Sequence, residues 1–112
     1  MVNIDSSYFG NIIIDGRKFD HDVIVDWKGN VIKKQSSHEF SRRDLQDLLL
    51  KDPEVVVIGT GTARMMKIDP SAEVEARMND VELISASTPD AIKEFNKHAK
   101  RRKVIGVIHV TC

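Results

Sequence analysis

This chain predicts an α/β fold: a three-layer single domain over residues 1–112, with a mixed sheet flanked by helices and an antiparallel N-terminal β-ribbon. Three observations lead there. The N-terminal third holds short apolar runs separated by two turn signals, Asp15-Gly16 and Lys28-Gly29-Asn30, as antiparallel strands do. From Ser41 onward a helical spacing gives way to an apolar run three times, which predicts helix–strand units with right-handed crossovers and partly parallel pairing. Two of those runs, Val55 to Ile58 and Val104 to Val110, are so uniformly apolar that both their faces should be covered.

In order, Ile12-Ile13-Ile14 enters the first turn and Phe19 through Val25 leaves it. The two-residue period puts Val23, Val25 and Trp27 on one face and Asp22, Ile24 and Asp26 on the other. Val31-Ile32 follows the second turn, and Lys33 to His38 reads as a loop. The first helix opens at Ser41 with Asp44 three residues on, an acidic form of the capping box, and buries Leu45, Leu48 and Leu49 until Pro53 stops it. Asp69 caps a second helix with Pro70 at its first position, Val74 and Met78 as its apolar pair, and Asn79 as its left-handed end. Val81 to Ile84 is the next strand. Thr88-Pro89 opens the third helix, whose buried stripe is Ile92, Phe95 and Ala99 and whose C-terminal charge, Lys100 to Lys103, suits the helix dipole.

Composition excludes several functions. Lysine plus arginine equals aspartate plus glutamate at 17 each, so no global charge draws the chain to nucleic acid or an anionic membrane. No apolar run approaches the roughly 20 residues that cross a bilayer. The first residues lack a signal-peptide core, and the one cysteine, Cys112, has no internal partner. A cytoplasmic protein is the expectation.

Gly59-Thr60-Gly61-Thr62 follows a buried strand, where open α/β sheets gather ligands. Its backbone N–H groups and hydroxyls could hold an anion, with Arg64 and Lys67 adding charge-assisted bonds; the competing reading is a tight turn that packs against Met65 or Met66. A dinucleotide site is not indicated: a third glycine is missing, the next helix opens only at Pro70, and Ser85 and Ser87 stand where a ribose-binding acid belongs. A Walker sequence is also missing. No cofactor is implied.

His109 and Cys112 are three apart, so a continuing strand points them to opposite faces, which argues against a catalytic pair. His109 reads instead as a core histidine, or as part of the same pocket as Gly59 to Gly61 if the two strands are parallel neighbours. Asp20-His21-Asp22 places its histidine opposite both acids, so it reads as a solvated strand and not a metal site. His38 belongs to an exposed loop or a pocket rim, His98 to the surface, and Trp27 to the lid of a core. The basic run Lys97, Lys100 to Lys103 is the one candidate for nucleic acid, but no aromatic is interleaved with it.

V-V-I-G-T-G at 56–61, V-E-A-R-M-N-D-V at 74–81 and G-V-I-H-V-T-C at 106–112 together resemble the Mth-domain family. That family includes the adipogenesis-associated Mth-domain proteins and a mitochondrial complex I assembly factor. The similarity runs from about Phe9 to Cys112 and looks like that of a stand-alone prokaryotic member. It implies a three-layer α/β domain and brings no established enzymatic activity. The matching positions are Gly59, Gly61, His109, Thr111 and Cys112, with His38 beside them; Thr60 stands where a relative carries arginine.

The candidate ligand-binding set is therefore Gly59, Thr60, Gly61, Thr62, Arg64, His38, His109, Thr111 and Cys112. The leading expectation is a cytoplasmic binding or scaffolding domain for a protein partner or a small anionic ligand. The alternative is a small enzyme on an anionic metabolite with His109 as general acid/base.

Overall fold

The computed structural model describes residues 1–111. Three antiparallel strands, β1 (Ile4–Tyr8), β2 (Asn11–Ile14) and β3 (Arg17–Phe19), form the N-terminal ribbon. Asp15 and Gly16 join β2 to β3 with φ of 50° and 78°, the two positive values a type I′ hairpin needs. The segment from Phe19 to Val25 is not one strand. β3 ends at Phe19, and the chain crosses at Asp20–His21 into a second sheet as β4 (Val23–Asp26).

That second sheet has five strands. β5 (Val31–Lys33) pairs with β4, β4 lies antiparallel to β10 (Val104–Ile108), and β10 runs parallel to β7 (Val55–Gly59), which runs parallel to β9 (Glu82–Ala86). The wholly apolar last strand is central, as its composition predicts. From β7 the chain passes through α2 (Pro70–Met78) outward to β9, then through α3 (Thr88–Ala99) back past β7 to β10. Crossovers of one hand that run in opposite directions put their helices on opposite faces. Accordingly α1 (Arg42–Leu49) and α2 share a core with Val56, Ile58, Ile105 and Val107. On the other face, α3 and the ribbon share a core with Val23, Val25, Val55, Val57, Val104 and Ile108. Two-residue strands β6 (Glu39–Phe40) and β8 (Lys67–Ile68) pair in parallel above the sheet.

Local sequence explains the helix ends. Ser41 and Asp44 form the reciprocal capping box of α1, with Ser41 Oγ accepting from Asp44 N and Asp44 Oδ2 accepting from Ser41 N. Asp69 caps α2 through Ser71 N. Three expectations fail. Val74 and Met78 are exposed, and α2 packs through Ala72 and Ala76, whose small side chains let it lie close to the sheet. Asn79 has φ of −109°, and it is Asp80, at 56°, that takes the left-handed conformation. Thr88 is not the cap of α3: Ser87 holds that position, and Thr88 is turned inward.

Gly106 explains how α3 lies on the sheet. A Cβ there would stand 2.9 Å from Phe95 Cδ1 and 3.2 Å from Val25 Cγ1, so the missing side chain is the seat of Phe95. Gly106→Ala should cost about 1–3 kcal/mol by overpacking. A fall in the urea midpoint at unchanged m checks this, and an unchanged midpoint refutes it.

At the opposite end of β4, Asp26 is buried and accepts from Lys28 N, Asn30 N, Asn30 Nδ2 and, at 3.0 Å, Lys51 Nζ. Burial pushes its pKa up, but the Asn30 amide, the Lys51 ammonium and the two backbone donors outweigh it and hold the group below its ordinary 3.8. A carboxyl depressed in the folded state stabilises fully above its unfolded pKa and ceases to do so as pH falls through the folded value. The stability gap between wild type and Asp26→Asn should therefore be widest near neutrality and narrow below about pH 4. Melting temperatures of the two proteins across pH check it, and a gap that does not change with pH refutes it.

Candidate functional site

The carboxyl ends of β7, β9 and β10 meet the start of antiparallel β4 at one edge of the sheet, and there the Gly59–Thr62 turn and the end of the last strand are joined. His109 N donates to Gly59 O at 2.9 Å. Thr88 Oγ1 donates to His109 O at 2.6 Å and accepts from Gly61 N at 3.0 Å. Thr60 N and Thr60 Oγ1 both donate to Ala86 O, and Thr62 N donates to Thr111 O. Gly59 is a glycine because of Thr88: a Cβ at 59 would lie 3.1 Å from the hydroxyl. Gly61 takes φ of 97°, which side chains resist. The N–H groups of Thr60, Gly61 and Thr62 are thus bonded within the protein, so the turn offers no backbone cradle of the kind its sequence suggested.

His109 is completely buried. Its Nδ1 lies 2.7 Å from Asp22 Oδ2, while Asp22 Oδ1 accepts from Val110 N at 2.9 Å. In the tautomer with the proton on Nδ1, both carboxylate oxygens of Asp22 serve as acceptors. On the far side, His109 Nε2 stands 3.3 Å from Thr111 Oγ1. The exposed ring of His38 packs edge-on against His109, with centroids 5.4 Å apart. The reading of Asp20-His21-Asp22 as solvated fails at Asp22, which is 3% exposed. Alternation divides core from water only where one face of a sheet is wet, and here both faces are covered. His21 is half-buried, and its Nδ1 lies 2.9 Å from Asp22 O. No group of three metal-ligating side chains gathers among the described residues.

The open part of this edge lies beside the stitched turn. β7 exits toward α2 on one face and β9 toward α3 on the other, which leaves a crevice between their carboxyl ends. It measures about 310 Å³ and is lined by Thr60, Arg64, Met66, Lys67, Ser85 and Ala86, among others. Lys67 is fixed by the β6–β8 pairing, its N–H donating to His38 O at 2.7 Å. Arg64 sits at φ of 56°, and neither cation has a carboxylate within ion-pair distance among the described residues. A larger cavity, about 480 Å³ between α1 and residues 34–37, holds none of the candidate residues.

Of the candidate set, then, Thr60 and Arg64 line the crevice, while Gly59, Gly61 and His109 are buried and do not line it. Thr62 and Thr111 are not in its lining either, His38 packs on His109, and Cys112 lies outside the described residues. Asp22 and Thr88 are the members that sequence reasoning missed. Trp27 is half-buried against both cores. His98 is less of a surface residue than expected, its side chain 14% exposed and 3.7 Å from Glu94. In the basic run, Arg102 is paired with Glu82 at 2.9 Å.

A three-layer α/β domain with a buried Asp–His pair and an open switch-point crevice is the class defined by this geometry. The chain belongs to the family described as Protein of unknown function (DUF498/DUF598), which matches residues 4–109. A conserved hypothetical protein of Pyrococcus horikoshii OT3 is similar in structure, with TM-score 0.86 and 28% identity over 98% of this chain and 99% of that one. The structure called MT938 matches over the whole of both chains with TM-score 0.84 and 24% identity. A Mth938-like domain of Bordetella pertussis shares the fold at TM-score 0.70 and 17% identity, over 96% and 85% of the two chains. The motif resemblance to the Mth-domain family is thus met. No helix among the described residues is long and apolar enough to cross a membrane.

Asp22→Ala would leave the His109 imidazole and the Val110 amide buried without their acceptor. At about 1–3 kcal/mol for each of the two stranded groups, the loss should be about 2–6 kcal/mol in urea unfolding. A loss under about 0.5 kcal/mol, the scatter of neutral surface changes, refutes the assignment.

Proposed function

We propose that this chain is a binding domain for an anionic group, a phosphate or carboxylate carried by a small metabolite or a partner protein, seated in the crevice between β7 and β9. The observation that carries this reading is the pair Arg64 and Lys67, two cations with no carboxylate in ion-pair distance among the described residues, at the switch point of the sheet beside the hydroxyls of Thr60 and Ser85. A cytoplasmic setting belongs to the same reading, in keeping with a sequence that has one cysteine and no membrane-length apolar run.

A second reading has one observation in its favour. Asp22, His109 and Thr111 form a carboxylate–imidazole–hydroxyl series with steps of 2.7 and 3.3 Å. Because His109 is buried, it could serve as general base only through Thr111 Oγ1. Turnover of an anionic substrate that vanishes in Thr111→Val, at unchanged melting temperature, would move the conclusion to this enzyme.

The binding reading is tested by thermal shift against inorganic phosphate, di- and tricarboxylates and nucleoside monophosphates. An anion at 100 times its dissociation constant should add about 2.7 kcal/mol, a rise of roughly 10 °C in this size of domain. Each charge-assisted bond is worth about 1.5–3 kcal/mol, so Arg64→Ala with Lys67→Ala should weaken binding at least tenfold while the fold persists. A panel that shifts nothing, or a double variant that binds as tightly as wild type, overturns it.

A further inference from the structure

The outer edge of β9 is open. β9 is last in the order of the five-stranded sheet, with β7 as its one neighbour. Glu82 N donates to Glu54 O and Thr60 N to Ala86 O, which fixes the register: Glu82, Ile84 and Ala86 turn their backbone groups to β7. Leu83 and Ser85 therefore turn theirs outward, where no other strand receives them. Exposed edges are commonly blunted by lysine, proline or shortness. The opposite edge, β5, is three residues long, ends in Lys33 and is followed by Lys34, whereas β9 is Glu-Leu-Ile-Ser-Ala with neither lysine nor proline. Leu83 packs on one core and Ile84 on the other, and both are half-exposed.

Charge is distributed unevenly along this edge. Its start lies beside a recess lined by Glu73, Arg77, Glu82 and Leu83, and its end beside the crevice of Arg64, Lys67 and Ser85. Glu82 already meets Arg102, and Arg77 tempers the start; the crevice at the end is lined by two cations and no carboxylate among the described residues.

We infer that β9 pairs antiparallel with β9 of a second copy of this chain, about a two-fold axis through Ile84. Leu83 and Ser85 are equally spaced about that residue, so the axis sets each opposite the other's counterpart and all of their outward N–H and C=O groups are paired. The same axis brings the acidic start of one edge to the cationic end of the other. A net charge of zero adds no general repulsion between copies. The two five-stranded sheets become one, and Leu83 and Ile84 lose their exposed flank. This inference does not rest on the proposed anion site.

The experiment is mass determination by light scattering on the full chain, from micromolar to millimolar concentration, for wild type and Ser85→Pro. Proline at 85 removes an outward donor and leaves the β7 ladder intact. Wild type should be dimeric, and Ser85→Pro should raise the dimer dissociation constant at least tenfold while keeping its circular dichroism. A second variant, Ile84→Cys in a Cys112→Ser background, needs no proline. Facing non-hydrogen-bonded residues of antiparallel strands lie about 4.5 Å apart at Cα, within disulfide reach. Oxidation should give a covalent dimer. A wild type that stays monomeric throughout, a dimer that a folded Ser85→Pro leaves unchanged, or an Ile84→Cys variant that does not cross-link overturns the inference. Ile84→Cys leaves every residue that lines the crevice in place, so cross-linking reads the dimer without altering the proposed anion site.

Discussion

The end of β10 emerges where helices cover one face of the sheet and a ribbon and helix cover the other, so His109 arrives in a place without water. Each polar atom there must find its partner within the protein, at a cost of about 1–3 kcal/mol for any that fails. Asp22 answers the imidazole and the Val110 amide, and Thr88 answers the His109 carbonyl and the Gly61 amide. Those few bonds tie together β4, β7, β10 and the start of α3. The path of the glycine turn follows from them, since Gly59 must clear the Thr88 hydroxyl and Gly61 must aim its N–H at it.

This constraint separates two jobs that the sequence places in one motif. The residues of Gly59 to Gly61 and His109 are the most motif-like in the chain, yet their polar groups are consumed in holding the edge together. What stays open to a solute is carried by the next loop, where Arg64 and Lys67 stand beside a crevice that the topology leaves unfilled. Exposed cations without carboxylates add little to stability, since even a paired surface ion is worth about 0–1 kcal/mol. A structural role for them is therefore weak. The rigid stitch beneath gives them a fixed base, with Met66 N on Thr60 O and Lys67 N on His38 O.

Local chemistry was legible wherever a single residue decides it. Ser41–Asp44, Asp69–Pro70 and Asp15–Gly16 each carry their own geometry, and the structure has all three. The central place of β10 was legible in its uninterrupted apolar run. The failures share one cause, which is that burial is a property of the neighbours. Val74 and Met78 have helical spacing, but α2 faces the sheet with its alanines because close approach suits a small side chain. Asp22 has the alternation of a solvated strand, but a sheet covered on both faces has no solvated side. Thr88 has the right spacing before Pro89 for a cap, and its hydroxyl went instead to groups 21 and 27 residues away in sequence. Nothing local in the chain announces a demand made from that distance.

The open edge and the open crevice are one region of the surface, since Ser85 belongs to both and Arg64 and Lys67 stand where they meet. In a β9–β9 pair, these cations face the acidic start of the partner's strand. An anion in the crevice then competes with Glu73 and Glu82 of the second copy for the same two charges. Linkage is reciprocal, so whatever factor a bound anion takes from association, association takes from the anion's affinity. The two β-edges of this sheet also explain why the region is placed where it is. β5 carries lysines at its outer end, and the fold thereby directs strand pairing to β9, the side on which the crossovers part and the crevice opens.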